Sequence, residues 1–236
     1  MLSRIDFVYP HLSSTSVRAT MAASEFKGVY DFLRDPDERP DLRRERDAFQ
    51  VPPSKYAPQL LAPSAYRGVM THRVLQHLDF TTAVDAAGVA SELQRMLASG
   101  VIGAEDRAVV DEEGLTWFVT TPLADSIRRA GTAYRREFRY VAMEPLTSFD
   151  RSVDARPEDR VLVRGIVDGI LAAHDGLTLV DFKTDAIAAA EVQDRGERYR
   201  PQMTLYARAV ENLWRCPVRA ICLVFLTPRQ MLECSP

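Results

Sequence analysis

The stretch Gly165-Ile166-Val167-Asp168-Gly169-Ile170-Leu171-Ala172-Ala173-His174-Asp175-Gly176-Leu177-Thr178-Leu179-Val180-Asp181-Phe182-Lys183 decides the fold. Two apolar, β-rich segments, 160–171 and 177–183, flank Asp175-Gly176, a strong hairpin signal. A two-residue Asp175-Gly176 loop sets Asp168 opposite Lys183 and Ile170 opposite Asp181. Side chains alternate along a strand, so Asp168, Asp181 and Lys183 then project from one face of the sheet. Opposed pairs lie roughly 5 Å apart and diagonal ones about 7–8 Å. Two carboxylates and an ammonium therefore converge on one small patch.

Close carboxylates repel each other and favour a divalent cation, and an all-oxygen donor set suits Mg²⁺. Such a metal polarises a phosphoryl oxygen and lowers the pKa of a bound water. A neighbouring lysine orients that water and stabilises charge developing on phosphate. A bare Asp-x-Lys is usually a solvated cross-strand pair. Here the acids sit amid Ile166, Val167, Ile170, Leu179 and Val180, where unpaired charges are costly. Only Lys27, Lys55 and Lys183 among the 30 basic residues are lysines, so a lysine in this position stands out.

Outward from the hairpin, the pattern predicts helices over 64–78, 83–98 and 121–133, a strand over 135–143, a helix from Tyr199 to Leu213 and a buried strand from Ala220 to Leu226. Ser64 is the expected N-cap of the first helix, and a Thr-Thr-Pro start marks the third. Helices around a mixed sheet make an α/β fold, expected to occupy residues 64–236. Residues 1–63 read as an arm or linker: a short helical pattern from Ser24 to Leu33, a charged run from Arg34 to Asp47, and the spaced prolines 52, 53, 58 and 63.

Composition is that of a globular chain, 46% hydrophobic and 27% charged. No apolar run reaches bilayer length and no secretion signal is evident, so the expected location is cytoplasmic. The net charge of −3 counts mildly against a nucleic-acid partner, although local patches rather than the sum steer binding. Cys216, Cys222 and Cys234 fit neither a disulfide framework nor a common zinc spacing.

Gly165-Ile166-Val167-Asp168, then Val180-Asp181-Phe182-Lys183-Thr184, then Tyr199-Arg200-Pro201-Gln202 with Tyr206, resembles the PD-(D/E)xK nuclease superfamily. More narrowly it is similar to the nuclease domain that ends RecB- and AddA-type helicase–nuclease subunits. The helix Gly68 to Leu75, with His72, resembles the early helix of that branch. The resemblance covers roughly 64–230 and implies a restriction-endonuclease-like core. It implies His72, Asp168, Asp181 and the backbone carbonyl of Phe182 as metal ligands, and Lys183 as the catalytic lysine. Gln202 and Tyr206, on one helical face, would buttress the site and touch the DNA strand. Arg135 and Arg136, beside Glu137, are read as phosphate contacts or plain surface. His77 is left structural.

The implied activity is Mg²⁺-dependent hydrolysis of DNA, with Mn²⁺ as a substitute, on single-stranded ends during recombinational double-strand-break repair. An exonuclease is favoured over an endonuclease, acting with a helicase or AddB-like subunit. No cysteine precedes Cys216, so no iron–sulfur cluster is expected. No Gly-x-x-x-x-Gly-Lys-[Ser/Thr] loop is present, so the motor would lie outside this sequence. The alternative is an inactive module that binds DNA or a partner on the same fold.

Overall fold

The computed structural model describes residues 14, 17–25, 63–149 and 154–236. Ala23–Glu25 forms a 3₁₀ turn, and the rest of the helix expected from Ser24 lies outside the described residues. The chain divides into two compact units, residues 1–49 with 140–165 and residues 50–139 with 166–236. Strands β2 (Tyr134–Pro145) and β3 (Arg160–Ala173) contribute to both.

In the first unit β1 (Thr20–Ala22) runs parallel to the start of β3, pairing Thr20 with Leu162 and Ala22 with Arg164. Met21, Val161 and Val163 are buried along this pairing.

In the second unit the end of β3, then β4 (Gly176–Lys183), β5 (Val218–Phe225) and β6 (Gln230–Cys234), lie side by side in that order. The β3–β4 and β5–β6 pairs are antiparallel and β4–β5 is parallel, so the sheet is mixed. Val180, Phe182, Val224 and Leu226 point into a core shared with α1 (Pro63–His77), α2 (Ala86–Ala98), α4 (Glu112–Val119) and α5 (Pro122–Ala130). The short α3 (Ala104–Val109) joins this group through α1 and α2. The long α6 (Val192–Trp214) packs on β5 and β6, with Gly196 set close against Leu232 and Leu223.

The expected helices are present, but Ser64, expected as the N-cap of the first, lies inside α1, which already begins at Pro63. Asp85 caps α2 by accepting from Gly88 N at 2.8 Å, and Thr121 caps α5 with Pro122 in its first turn. Helix α6 begins at Val192 rather than Tyr199 and runs through Pro201. A proline removes one backbone donor, but the buried face before it, Val192, Gly196 and Tyr199, holds the extra turns in place.

The hairpin differs from the expected one. Ala173 pairs with Gly176 and Gly169 with Val180, so the turn is His174-Asp175, not Asp175-Gly176. Gly176 belongs to β4 at φ +152°, and a Cβ there would lie 2.6 Å from the Pro217 carbonyl. Leu177 N donates to that same carbonyl at 2.8 Å, which fixes Gly176 inside the sheet. The pairing is thereby shifted by two places, an even number that leaves every side chain on its expected face. Extended by one pair, it sets Asp168 opposite Asp181 instead of Lys183.

Candidate active site and metal centre

Helix α1 carries His72 beside its buried stripe of Met70, Thr71, Val74 and Leu75. The end of that helix is held by Arg136, whose Nη1 donates to the carbonyls of Leu75 (3.3 Å), Gln76 (3.1 Å) and Leu78 (2.7 Å). The guanidinium also lies over Phe80, 4.7 Å from the ring centroid. Arg136 is thus committed to the helix end, while Arg135 is exposed.

Asp168 is the hub. Its Oδ1 lies 3.3 Å from His72 Nδ1, and its Oδ2 accepts from Phe182 N at 2.8 Å, where a strand would ordinarily offer a backbone carbonyl. The next residue, Gly169, leaves room for Tyr134, since a Cβ would fall 2.1 Å from the Tyr134 hydroxyl. On β2, Glu137 takes φ +50°, the left-handed region that side chains with a Cβ adopt at a cost. One ligand atom each from His72, Glu137 and Asp168 all fall within 4.8 Å of one another. These three line a small cavity with Tyr134, Arg136 and Phe182.

Asp181 is almost fully buried, at 2% exposure, and its Oδ2 forms an ion pair with Lys183 Nζ. Beyond that ion pair, no hydrogen bond reaches Asp181 Oδ2 among the described residues. Lys183 Nζ also lies 4.1 Å from the centroid of the Tyr199 ring. Gln202 Nε2 donates to Tyr206 Oη at 2.7 Å, and both side chains are buried on the inner side of α6. Neither presents an open surface, so the contact with a DNA strand expected of them finds no exposed side chain here.

The charges reinforce one another. The protein surroundings of His72 oppose its charged form, but the charge and hydrogen bond of Asp168, with Asp181 behind, outweigh this and raise it to about 9. Burial works against ionised Asp168 too, yet His72, Lys183 and the Phe182 amide hold it below the usual carboxylate value. Burial and the charge of Asp168 push Asp181 up to about 6 against the pull of Lys183.

The donor set fits a divalent cation: one imidazole and two carboxylates already gathered, with a third carboxylate buried beside Lys183 and short of hydrogen bonds. Sequence reading named His72, Asp168, Asp181 and Lys183, and the structure brings them together. It missed Glu137 as a donor. An acid after two arginines at the start of a strand reads as surface, and nothing in the residue types announces a left-handed turn there.

A profile of the PD-(D/E)XK nuclease superfamily matches residues 42–231. An ATP-dependent helicase/nuclease subunit of Anoxybacillus flavithermus is 29% identical over 214 residues, covering 90% of this chain and 16% of its own length. The corresponding protein of Carboxydothermus hydrogenoformans is 30% identical over 227 residues, 94% of this chain and 18% of the relative. That of Lactiplantibacillus plantarum is 33% identical over 224 residues, 89% and 17%. The chain spans less than a fifth of the length of these curated relatives.

Proposed function

Since the chain belongs to the PD-(D/E)XK nuclease superfamily, we propose that the centre built by His72, Glu137, Asp168, Asp181 and Lys183 hydrolyses DNA phosphodiester bonds with the help of Mg²⁺. Mn²⁺ substitutes for it. The observation that carries this reading is the gathering of His72, Glu137 and Asp168 within 4.8 Å, beside the buried Asp181–Lys183 pair. A binding scaffold has no need to bury an acid and a lysine against each other next to a ready donor set.

His72, Glu137, Asp168 and Asp181 would hold the cation, with the Phe182 carbonyl as a further donor. When bound, it supplies polarisation of a phosphoryl oxygen and a lowered pKa for water. Asp168 orients His72 through their contact and steadies β4 through the Phe182 amide. Lys183 places a fixed positive charge where the phosphate gains negative charge on attack. Gln202 and Tyr206 buttress the α6 side of the sheet behind it. Arg135, exposed on β2, is available to DNA phosphate.

The relatives are components of ATP-dependent helicase/nucleases. By analogy the substrate is a single-stranded DNA end, delivered by a helicase or AddB-like partner during double-strand-break repair in the cytoplasm, and the mode is exonucleolytic. Among the described residues no helix is long and apolar enough to cross a membrane.

The test is degradation of end-labelled single-stranded DNA with Mg²⁺ or Mn²⁺, comparing wild type with Asp181→Ala and Lys183→Ala. Cleavage lost in both variants and with EDTA supports the reading. Metal binding and DNA binding with no cleavage under any condition would return the chain to the scaffold alternative.

A further inference from the structure

Lys183 carries the proposed site's ammonium, which has an ion-pair partner on one side and an aromatic ring on the other. Asp181 pairs with it on one side. On the other, the face of Tyr199 lies 4.1 Å away, ring centroid to Nζ. Tyr199 is itself fixed. Its hydroxyl donates to Asp185 Oδ2 at 2.8 Å, with Oδ1 at 3.1 Å, and Arg195 Nη1 holds Asp185 Oδ1 at 3.3 Å. The ring is buried against Phe225, with centroids 6.3 Å apart. Burial and the charge of Asp185 push the phenol well above its ordinary range, so it remains a donor to that carboxylate.

An ammonium on a four-carbon stem has many rotamers and costs entropy to hold in one place. An ion pair with Asp181 alone would leave Lys183 following the carboxylate, which is itself needed by the cation. The negative face of an aromatic ring attracts the ammonium non-directionally and engages at most part of its three N–H groups. It fixes the charge while leaving N–H donors for phosphate and water. Asp185 follows β4 directly after Thr184, so the lock on the ring is tied to the strand that carries the lysine.

We propose that Tyr199 is a positioning residue for Lys183: its ring face, locked by Asp185 and Arg195, holds the ammonium in the orientation that serves phosphodiester cleavage. This rests on the nuclease reading of the site. It predicts that the electron density of the ring, and not merely its bulk, sets the rate.

The test replaces Tyr199 in the 236-residue chain by Phe and then by phenylalanines of rising ring fluorination, which drain the face of negative potential at nearly constant shape. The probe is Mn²⁺-supported cleavage of end-labelled single-stranded DNA, with Lys183→Ala in parallel. The expected result is a stepwise fall in kcat, about fivefold from Phe to the trifluoro ring. KM for DNA should stay within about twofold, because ground-state binding is not what the ring supplies. Melting temperatures should not track the rates. A flat series with an inactive Lys183→Ala overturns the positioning role and leaves the nuclease reading standing. A Lys183→Ala variant as active as wild type, or a wild type without cleavage, overturns both.

Discussion

Glu137 concentrates the conflict between stability and chemistry in one residue. Its φ of +50° is strained for a side chain with a Cβ, and its carboxylate is one of the three gathered ligand groups. Glu137→Gly should therefore raise stability by about 1 kcal/mol while abolishing metal-supported cleavage. Thermal melts and metal titration on the same samples check this, and a less stable glycine variant would contradict it. His72 yields a second expectation. Without metal it keeps its proton up to about 9, whereas a ligand imidazole must be neutral. Metal uptake should release a proton near neutrality, and affinity should climb with pH and level off above about 9. Below about 6, protonation of Asp181 should weaken binding further. Calorimetry in buffers of different ionisation enthalpy counts the released protons. At this scale the sequence was legible where residue type and strand alternation coincide, as for Asp168, Asp181 and Lys183. It was illegible at Glu137, whose role depends on a backbone angle that no residue type there demands.

Helix α1 depends on an anchor from another element. Arg136 donates to three carbonyls at the end of the helix that carries His72. Arg136→Ala should cost about 1.5–3 kcal/mol, the range for hydrogen bonds to a charged donor. Arg136→Lys should recover only part of it, because an ammonium cannot lie flat on the Phe80 ring as a planar guanidinium does. Chemical denaturation of the three proteins settles the ordering. Glu92 on α2 ties Asp79 N at 2.9 Å and Arg95 Nη2 at 2.7 Å, and the Arg95 bonds hold its carboxyl below the ordinary value. A depressed folded-state pKa means stability that is present above the unfolded value, about 4.3, and lost as pH falls through the folded one. The melting temperatures of wild type and Glu92→Gln should differ at neutral pH and converge in acid. The longer helices were readable mainly from their apolar spacing, and α5 also from its Thr-Thr-Pro start. The short α3 and α4 and the edge strand β6 were not, because elements of one or two turns carry too few apolar repeats to register. The hairpin turn falls one residue earlier than its residue types suggest, since Asp-Gly is the stronger local signal and packing of Pro217 beside Gly176 overrides it.

For the molecule as a whole, the second unit is a mixed sheet with helices that brings α1, β2, β3 and β4 to one point, and the chain belongs to a nuclease superfamily. Its net charge of −3 supplies no general attraction for DNA, so any contact with phosphate depends on local patches. The curated relatives, of which this chain covers less than a fifth, are components of such assemblies. Under the proposed function, one cation site among His72, Glu137 and Asp168 serves cleavage. The measurement that tests it most directly is the anomalous scattering of Mn²⁺ soaked into crystals of the wild type and of Asp168→Asn. A peak is expected within ligand distance, about 2.0–2.3 Å, of those three side chains in the wild type and none in the variant. A Mn²⁺ peak elsewhere, or one unchanged by Asp168→Asn, would contradict it.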